Sequence, residues 1–325
     1  MDKNRKCYAV KNKNETVRAN SRSGGIFTAI SDWVLDNGGV VYGCVMSDVY
    51  TAEHIRATAK SDRDRMRGSK YIPSRINNCY SLCAEDLSNG KQVLFSGTPC
   101  QIDALNNFLS VKKTDTTNLL TMDLICHAVA SPKLWQKYLD HLSKGKKIDS
   151  VDFRDKKNFG WGEHKETIVV EGKEISSKGF SDIYYSNLAY PLHCFKCYYK
   201  NCDRVSDITI GDYWGIDRLD PENFDNKGIS LVILNSEKGN KAFSSCANEL
   251  EIKEYYLIDS LQPPLVYNYT IPKNRNRFYN SLDNDNFDTI LKKFVVRPKI
   301  VNTKPDLLYS RIVSLAKKII KSIKR

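Results

Sequence analysis

Four cysteines in three separate segments are the residues of this chain whose types and spacing best suit chemistry. Cys100 follows the predicted strand KQVLFSG, and Cys126 ends the next predicted strand, NLLTMDLIC. Cys194 and Cys197 form a C-x-x-C pair farther along. If the two strands are neighbours in an open α/β sheet, their carboxyl ends bring both sulfurs to one crevice. Four thiolates from three segments are typical of one buried metal centre, and an iron–sulfur cluster fits better than zinc.

Two other uses of these side chains stay open. A tetrahedral zinc site could be built from Cys194, Cys197, Cys202 and either His193 or His127. It would leave Cys100 and Cys126 unexplained. Alternatively, Cys100 on a strand-to-helix turn could be a nucleophile with His127 as its base, which would make the C-x-x-C accidental. In the iron–sulfur interpretation Cys202 is a spare fifth candidate, because its surroundings in the sequence are the most polar.

The other cysteines are expected to pack as small hydrophobic residues. They are Cys7, Cys44, Cys79, Cys83 and Cys246. The N-terminus lacks the apolar stretch of a secretory signal, and no window approaches the roughly 18 apolar residues of a spanning helix. We therefore expect a cytoplasmic protein, whose reducing surroundings favour metal binding or catalysis over disulfides.

The first 110 residues alternate between predicted helices and strands. The apolar residues of GGIFTAISDWVLDN have helical spacing, and Ser23 is its expected N-cap. The segment TPCQIDALNNFLS begins a helix with Thr98 as N-cap and Pro99 at the first position. This alternation predicts an α/β fold with a mainly parallel sheet.

A different pattern begins near Ile148, where the strands VDFRD, ETIVVEG, SDITIGDYWG and ISLVILNS have fewer helices between them. It predicts a β-rich second subdomain or an extension of the first sheet. We expect a loop over residues 262–306, which have little regular pattern. The predicted divisions are an N-terminal extension (1–20), an α/β domain (21–110), a domain with the cysteine cluster (111–262), and a loop with a terminal helix (263–325).

The terminal segment predicts a basic amphipathic helix. Apolar residues recur every three or four positions from Leu308 to Ile323, and lysines lie largely on other faces. Such a helix can lie on an anionic membrane surface, so we expect a peripheral contact at the inner membrane face through residues 303–325; the alternative is a helix docked on its own domain. These residues supply +6 of the net charge of +12. Charge concentrated in a tail is a weak argument for nucleic acid, and we expect none to bind.

Two segments have the composition of anion-binding loops. SRSGGIFTA places Ser23, Gly24 and Gly25 at a helix start, where backbone N–H groups can hold a phosphate. RGSKYIPS offers a set that suits an anionic ligand with a flat ring: Arg67, Gly68, Ser69, Lys70 and Tyr71. Taken singly, each segment is also compatible with an ordinary helix cap or a solvated turn.

Taken in order, the motifs resemble those of the coenzyme F420-reducing hydrogenase/dehydrogenase beta-subunit family. The series is SGGIFTAI, GGVVYG, RGSKYIPS, VLFSGTPCQI, DLICHAVASPKLW, FRDK, the C-x-x-C and RVSDITIGDYWGI, and it spans roughly residues 21–247. The resemblance implies an oxidoreductase that holds FAD and a 4Fe-4S cluster and passes electrons between the cluster and a deazaflavin.

The resemblance also implies roles for particular residues. The cluster ligands would be Cys100, Cys126, Cys194 and Cys197. Cys202 has no counterpart in the family motif. The cofactor-binding residues would be those of the two loops above together with Ser96, Gly97 and Thr98. The catalytic residues stay unassigned.

The partners follow from how this chain differs from its relatives. Many relatives begin with a ferredoxin-like segment, whereas only Cys7 precedes Ser21 here, so we expect a separate redox partner protein or ferredoxin. Similar bacterial chains are associated with surface-polysaccharide synthesis, which a tail at the inner membrane face would suit. The alternatives are therefore an accessory or modifying protein of that process, acting on a glycan intermediate, and a zinc-stabilised binding module.

Overall fold

The computed structural model describes residues 4–295, and the predicted helix at 303–325 lies outside them. The strands are β1 (Lys6–Asn12), β2 (Val40–Met46), β3 (Ala52–Ala57), β4 (Ser74–Arg75), β5 (Val93–Gly97), β6 (Leu119–Leu124), β7 (Ile148–Asp152), β8 (Glu166–Val170), β9 (Lys173–Ser177), β10 (Ile208–Asp212), β11 (Ser230–Leu234) and β12 (Leu250–Tyr256). The α-helices are α1 (Glu15–Asn20), α2 (Ile26–Asp36), α3 (Lys60–Asp64), α4 (Cys79–Ser88), α5 (Pro99–Val111), α6 (Pro132–Ser143), α7 (Lys156–Phe159), α8 (Gly179–Tyr185), α9 (Ile216–Leu219), α10 (Glu237–Ser245), α11 (Arg275–Asn284) and α12 (Phe287–Phe294).

A nine-stranded sheet organises the structure, in the order β12-β1-β11-β10-β6-β5-β2-β3-β4. Its four central strands, β10, β6, β5 and β2, are parallel. Antiparallel strands flank them, with β11, β1 and β12 on one side and β3 on the other. The predicted α/β fold is confirmed, and its parallel part is the centre of the sheet.

Helices cover both faces of this sheet, and alternating side chains of each strand pack against them. On β2, Val41 and Val45 pack with α2 and α10, whereas Val40 and Tyr42 pack with α4 and α5. This alternation follows from the two-residue period of a strand, which sends successive side chains to opposite faces. Both faces of the central strands are therefore buried, as parallel strands require.

The β-rich part of the chain forms both a second subdomain and an extension of the first sheet, the two arrangements that its pattern predicted. Strands β7, β8 and β9 form a separate antiparallel sheet, whereas β10, β11 and β12 extend the large sheet. Helices α6, α8, α11 and α12 pack with the small sheet in one aromatic cluster, in which Trp135 stacks on Phe153 at 4.1 Å. This cluster holds the small sheet beside the carboxyl ends of the central strands.

Two expectations for local structure need correction. The loop expected over residues 262–306 contains α11 and α12, because Phe278, Leu282 and the apolar side of α12 are buried in the aromatic cluster. The N-cap of α2 is Gly25 rather than Ser23. Strand β1, in the expected N-terminal extension, pairs with β11 and β12 inside the sheet.

Within residues 4–295, no helix is both long and apolar enough to cross a membrane. The domain boundaries stay predictions.

A buried carboxyl group in the small sheet gives the fold a pH dependence. Glu166 is fully buried on β8, where burial raises its pKa to about 7 and Ser181 N–H donates to it at 2.6 Å. Because the folded pKa lies above the ordinary value of 4.5, this group's contribution to stability is present below pH 4.5 and is lost as the pH rises to about 7.

Replacing this carboxyl should remove that loss. As the pH rises from 4.5 to 8, the wild type should lose roughly 3 kcal/mol of unfolding free energy that Glu166→Gln keeps. The reason is that each unit by which folding raises the pKa is worth about 1.36 kcal/mol. Urea unfolding across this range measures the difference. Glu174→Gln, exposed on β9, is the control and should follow the wild type. A constant difference between Glu166→Gln and wild type would contradict the assignment.

Candidate functional site

A cavity of about 420 Å³ lies at the carboxyl ends of the four central strands. Gly43 and Cys44 of β2, Ser96 of β5, Leu124 of β6 and Asp212 of β10 all line it. Ligands of open α/β sheets bind in this crevice, and the volume is within the range of about 300–1,000 Å³ typical of small-molecule sites. The cavity is therefore the candidate site of this chain.

The structure brings the predicted cofactor-binding residues together at this cavity. The residues that line it are Ser23, Gly25, Arg67, Gly68, Ser69, Lys70, Tyr71, Ser96, Gly97 and Thr98. Gly24 has another role, because a Cβ there would lie 1.9 Å from the Val10 carbonyl oxygen, and its N–H donates to Ser230 Oγ at 2.9 Å. Gly24 lets the loop pack against the sheet, whereas its neighbours face the cavity.

The first loop presents a helix N-terminus to the cavity. Gly25 has φ 93° and caps α2 without a side-chain hydrogen bond. The Ser23 hydroxyl does not cap this helix, because it donates to the Ile229 carbonyl at 2.6 Å. The N–H groups at the start of α2 are thus not covered by a capping side chain, which is the arrangement that binds phosphate groups.

Hydrogen bonds from Lys70 stabilise the second loop, RGSKYIPS. Lys70 Nζ donates to the carbonyls of Met66 and Arg67, each at 2.8 Å, and burial lowers the pKa of Lys70 to about 8. Arg67 Nε donates to Thr28 Oγ1 of α2 at 3.0 Å, and its guanidinium pairs with Asp64 at 2.7 Å. These contacts tie RGSKY to α2, so both loops form one side of the cavity.

An ion-pair group that the sequence motifs did not reveal closes another side. Asp212, at the end of β10, accepts from Arg154 Nη1 at 3.0 Å and from Trp161 Nε1 at 3.0 Å, and lies 3.6 Å from Arg22 Nε. Burial alone would raise the pKa of Asp212, but the two guanidinium groups outweigh it and hold the pKa below its ordinary value. Trp214 stacks on Trp161 at 4.8 Å.

The signal for this group was present in the motifs FRDK and GDYWG, whose residues had no predicted role. Arg154 lies in the first motif, and Asp212 and Trp214 lie in the second. Neither motif indicates alone that its charges meet, because about 60 residues separate them in the sequence. Only the return of β10 to the large sheet brings them together.

The charges and rings of the cavity wall suit an anionic ligand with a flat ring. Its basic side chains are Arg22, Arg67, Lys70 and Arg154, against the carboxylate of Asp212. Its aromatic side chains include Phe27, Tyr71, Tyr184, Tyr185 and Trp214. Basic groups bind phosphate, and aromatic faces stack on flat rings. The wall therefore fits a flavin nucleotide such as FAD.

The four predicted cluster ligands converge next to this cavity. Strands β5 and β6 are parallel neighbours, which brings Cys100 and Cys126 to the cavity wall. Cys194 lies on the 3₁₀ turn Leu192–Lys196, and Cys197 follows it. Burial, together with the thiols of the other three cysteines, raises the pKa of the Cys126 thiol to about 12. All four thiols are free.

A buried lysine near these thiols supports an anionic occupant. Lys200 is only 6% exposed, and its Nζ has no hydrogen-bond partner among residues 4–295. The thiols of Cys126, Cys194 and Cys197 interact with its charge. An unpaired buried ammonium is unfavourable, and thiolates bound to a cluster would supply the missing negative charge. The residues present therefore fit a cluster.

The zinc alternative is not favoured by this geometry. Cys202 is buried in a separate apolar cluster, and its Sγ lies 3.4 Å from the Leu265 carbonyl oxygen. The polar sequence neighbours of Cys202 therefore do not surround it in the fold, where it lies apart from the four. In the part of the chain that the structure describes, no three His, Cys, Asp or Glu side chains are placed to hold one metal ion. A four-iron cluster spaces its thiolates by its own width, so it does not require a single-ion arrangement.

The nucleophile alternative lacks its base. Cys100 Sγ lies 3.1 Å from Thr98 Oγ1, whereas His127 Nδ1 lies 2.6 Å from the Tyr269 hydroxyl. Burial, followed by the charge of Lys200, lowers the pKa of His127 to about 4.

The remaining cysteines divide into two groups. Cys7, Cys79, Cys83 and Cys246 are buried, which confirms their packing role. Cys44 is half-buried and lines the cavity, which the sequence did not predict. A free thiol therefore faces the space assigned to the ligand.

Comparisons with known proteins agree with this architecture. The sequence profile that describes the C terminus of the coenzyme F420 hydrogenase/dehydrogenase beta subunit matches residues 90–257. A chain of the F420-reducing [NiFe] hydrogenase complex from Methanosarcina barkeri is 18% identical, with a TM-score of 0.55 over 90% of this chain and 92% of that chain. This likeness shows a shared fold. No curated protein matches the chain.

Proposed function

This chain belongs to the coenzyme F420 hydrogenase/dehydrogenase beta-subunit family, and from that membership we propose that it is an iron–sulfur flavoprotein oxidoreductase. The observation that carries the proposal is the junction of two sites. Cys100 and Cys126 belong both to the four-cysteine group and to the wall of the basic, aromatic cavity. A cluster and a flavin held there would be neighbours, which electron transfer between them requires.

The residues of the cavity have distinct tasks in this proposal. Arg22, Arg67 and the N-terminus of α2 bind the diphosphate of FAD. Tyr71, which packs on the buried Tyr184 with ring centroids 4.6 Å apart, offers an aromatic face to its ring system. When bound, FAD exchanges a hydride with one partner and single electrons with the cluster. The aromatic cluster under the small sheet shields this side of the cavity from water.

The electron donor and acceptor are proposed by chemistry. The structural neighbour is part of a hydrogenase complex, so a redox partner protein or ferredoxin is proposed to exchange electrons at the cysteine group, where Cys100 is exposed. A deazaflavin is the proposed acceptor, and the flat aromatic wall suits its ring. A glycan intermediate of surface-polysaccharide synthesis is the second candidate, because a sugar ring can also stack on Trp214 or Tyr185.

The experiment that tests the proposal is cofactor analysis of anaerobically purified protein. We expect a brown protein with about four iron atoms and one FAD per chain, which turns yellow when the cluster is removed. A colourless protein that contains one zinc would refute the proposal. Oxidation of the reduced flavin by an oxidised deazaflavin, compared with oxidation by a nucleotide sugar, distinguishes the two acceptors.

Two arginines of one loop provide a matched test of the flavin site. Arg67 lines the cavity, whereas Arg65 is exposed and does not. We expect Arg67→Gln to weaken FAD binding about 10- to 100-fold, because a hydrogen bond to a charged group is worth about 1.5–3 kcal/mol. Arg65→Gln should bind FAD as the wild type does. Titration of the apoprotein with FAD, followed by flavin fluorescence, measures both.

A further inference from the structure

Lys200 has surroundings that its position in the sequence does not suggest. It follows the C-x-x-C by three residues, in a polar segment, yet only 6% of it is exposed. Its Nζ lies 3.8 Å from the centroid of the Tyr269 ring and has no hydrogen-bond partner within residues 4–295. Lys196, between the two cysteines, is exposed by contrast.

The contacts of Lys200 fix where its charge acts. The Tyr269 hydroxyl lies 2.6 Å from His127 Nδ1. The planes of the Tyr269 and His127 rings are nearly parallel, with an angle of 14° between them. Because His127 lines the cavity, Tyr269 is held between the cavity and the ammonium. The thiols of Cys126, Cys197 and Cys194 also lie near enough to interact electrostatically with the ammonium.

A cation–π contact offsets only part of the cost of burying an ammonium. The rest can be offset by negative charge, and a cluster with four thiolate ligands carries a net negative charge. Net charge near a cluster is one of the factors that set its reduction potential. Reduction adds one electron, so an adjacent fixed cation stabilises the reduced state more than the oxidised state.

We propose that Lys200 is the internal counter-ion of the cluster and raises its reduction potential. This inference rests on the proposed function. A bound cluster would take one electron from a reduced redox partner protein, or from dithionite in the test, and would pass it on without bond formation. Lys200 acts as a positioning and tuning residue, with Tyr269 holding its ammonium at the thiolates.

The test measures the cluster's midpoint potential by EPR-monitored titration with dithionite. We expect Lys200→Met to lower the equilibrium constant for reduction about tenfold or more, which is about 59 mV per factor of ten for one electron. Lys200→Arg keeps the charge and should stay within about threefold of the wild type. Lys196→Met, the exposed control, should leave the potential unchanged.

Thermal unfolding of the apoproteins provides an independent measurement. Lys200→Met should raise the melting temperature of the apoprotein, because it removes a buried unpaired charge, whereas a merely structural lysine would lower it when lost. Loss of the cluster from Lys200→Met but not from Lys200→Arg would also support the counter-ion.

Two results would overturn the inference about Lys200, and a third would refute the proposed function. An unchanged potential in Lys200→Met would overturn the inference. Loss of the cluster from both Lys200→Met and Lys200→Arg would overturn it too, since the role would then lie in packing. A wild-type protein without iron would refute the proposed function itself.

Discussion

Cys197→Ser should lose the cluster, with iron falling from about four atoms per chain to less than about one. The physical reason is that a four-iron cluster needs four thiolates, and Cys197 belongs to the group of four that converges on Cys126. A serine hydroxyl is a poor replacement because it stays protonated at neutral pH. Iron analysis and the visible absorption of anaerobically purified protein measure the change.

Cys202→Ser is the matched control, five residues along the same segment. Cys202 is buried, and its Sγ lies near the Leu265 carbonyl, to which a serine hydroxyl can also donate. We expect this variant to keep its full iron, and Cys246→Ser, in the core of the large sheet, to do the same. Full iron in Cys197→Ser, or iron loss from Cys202→Ser, would show that the ligand assignment is wrong.

Asp212→Asn should destabilise the apoprotein by about 3–5 kcal/mol, the cost of leaving buried charges without their partner. The Arg22 and Arg154 side chains are only 9% and 4% exposed, and both lie beside this carboxylate. Asparagine keeps the shape and the contact with Trp161 but removes the charge. Urea unfolding at pH 7 measures the loss, and FAD binding should weaken because the two arginines lose their positions.

A surface ion pair is the control for this prediction. Glu163 pairs with Lys178 at 2.7 Å, with side chains 48% and 44% exposed, so Glu163→Gln should cost less than about 1 kcal/mol. Because the folded pKa of Asp212 is lowered, its contribution is present above the ordinary value of 3.8 and is lost as the pH falls below it. The difference in unfolding free energy between the wild type and Asp212→Asn should therefore decrease at acidic pH. An equal, pH-independent loss in both variants would contradict a buried ion pair.

Local patterns predicted the elements that stand on the central sheet. The Thr98 N–H donates to Gln101 Oε1 at 3.0 Å at the start of α5, where a helix beginning with Thr-Pro was predicted. Helix α11 was missed because its apolar residues are few, and α12 was missed although its four apolar residues have helical spacing. Burial in the aromatic cluster stabilises both helices. Short helices of this kind depend on tertiary packing more than on propensity.

The sequence by itself determined which residues meet at the strand ends. Cys100 and Cys126 follow consecutive strands, and parallel neighbours place their carboxyl ends together, so their proximity depends on one local rule. The motif loops likewise follow from composition, since glycines and small polar residues at a helix start leave N–H groups free.

Only the tertiary structure decided which charges are buried and what they face. Residues 125–207 leave the large sheet, form most of the small subdomain and return through β10. That return joins Asp212 to Arg22 and Arg154, and it buries Lys200 beside the thiols. Burial and charge pairing depend on contacts between segments far apart in the chain, and no local pattern records them.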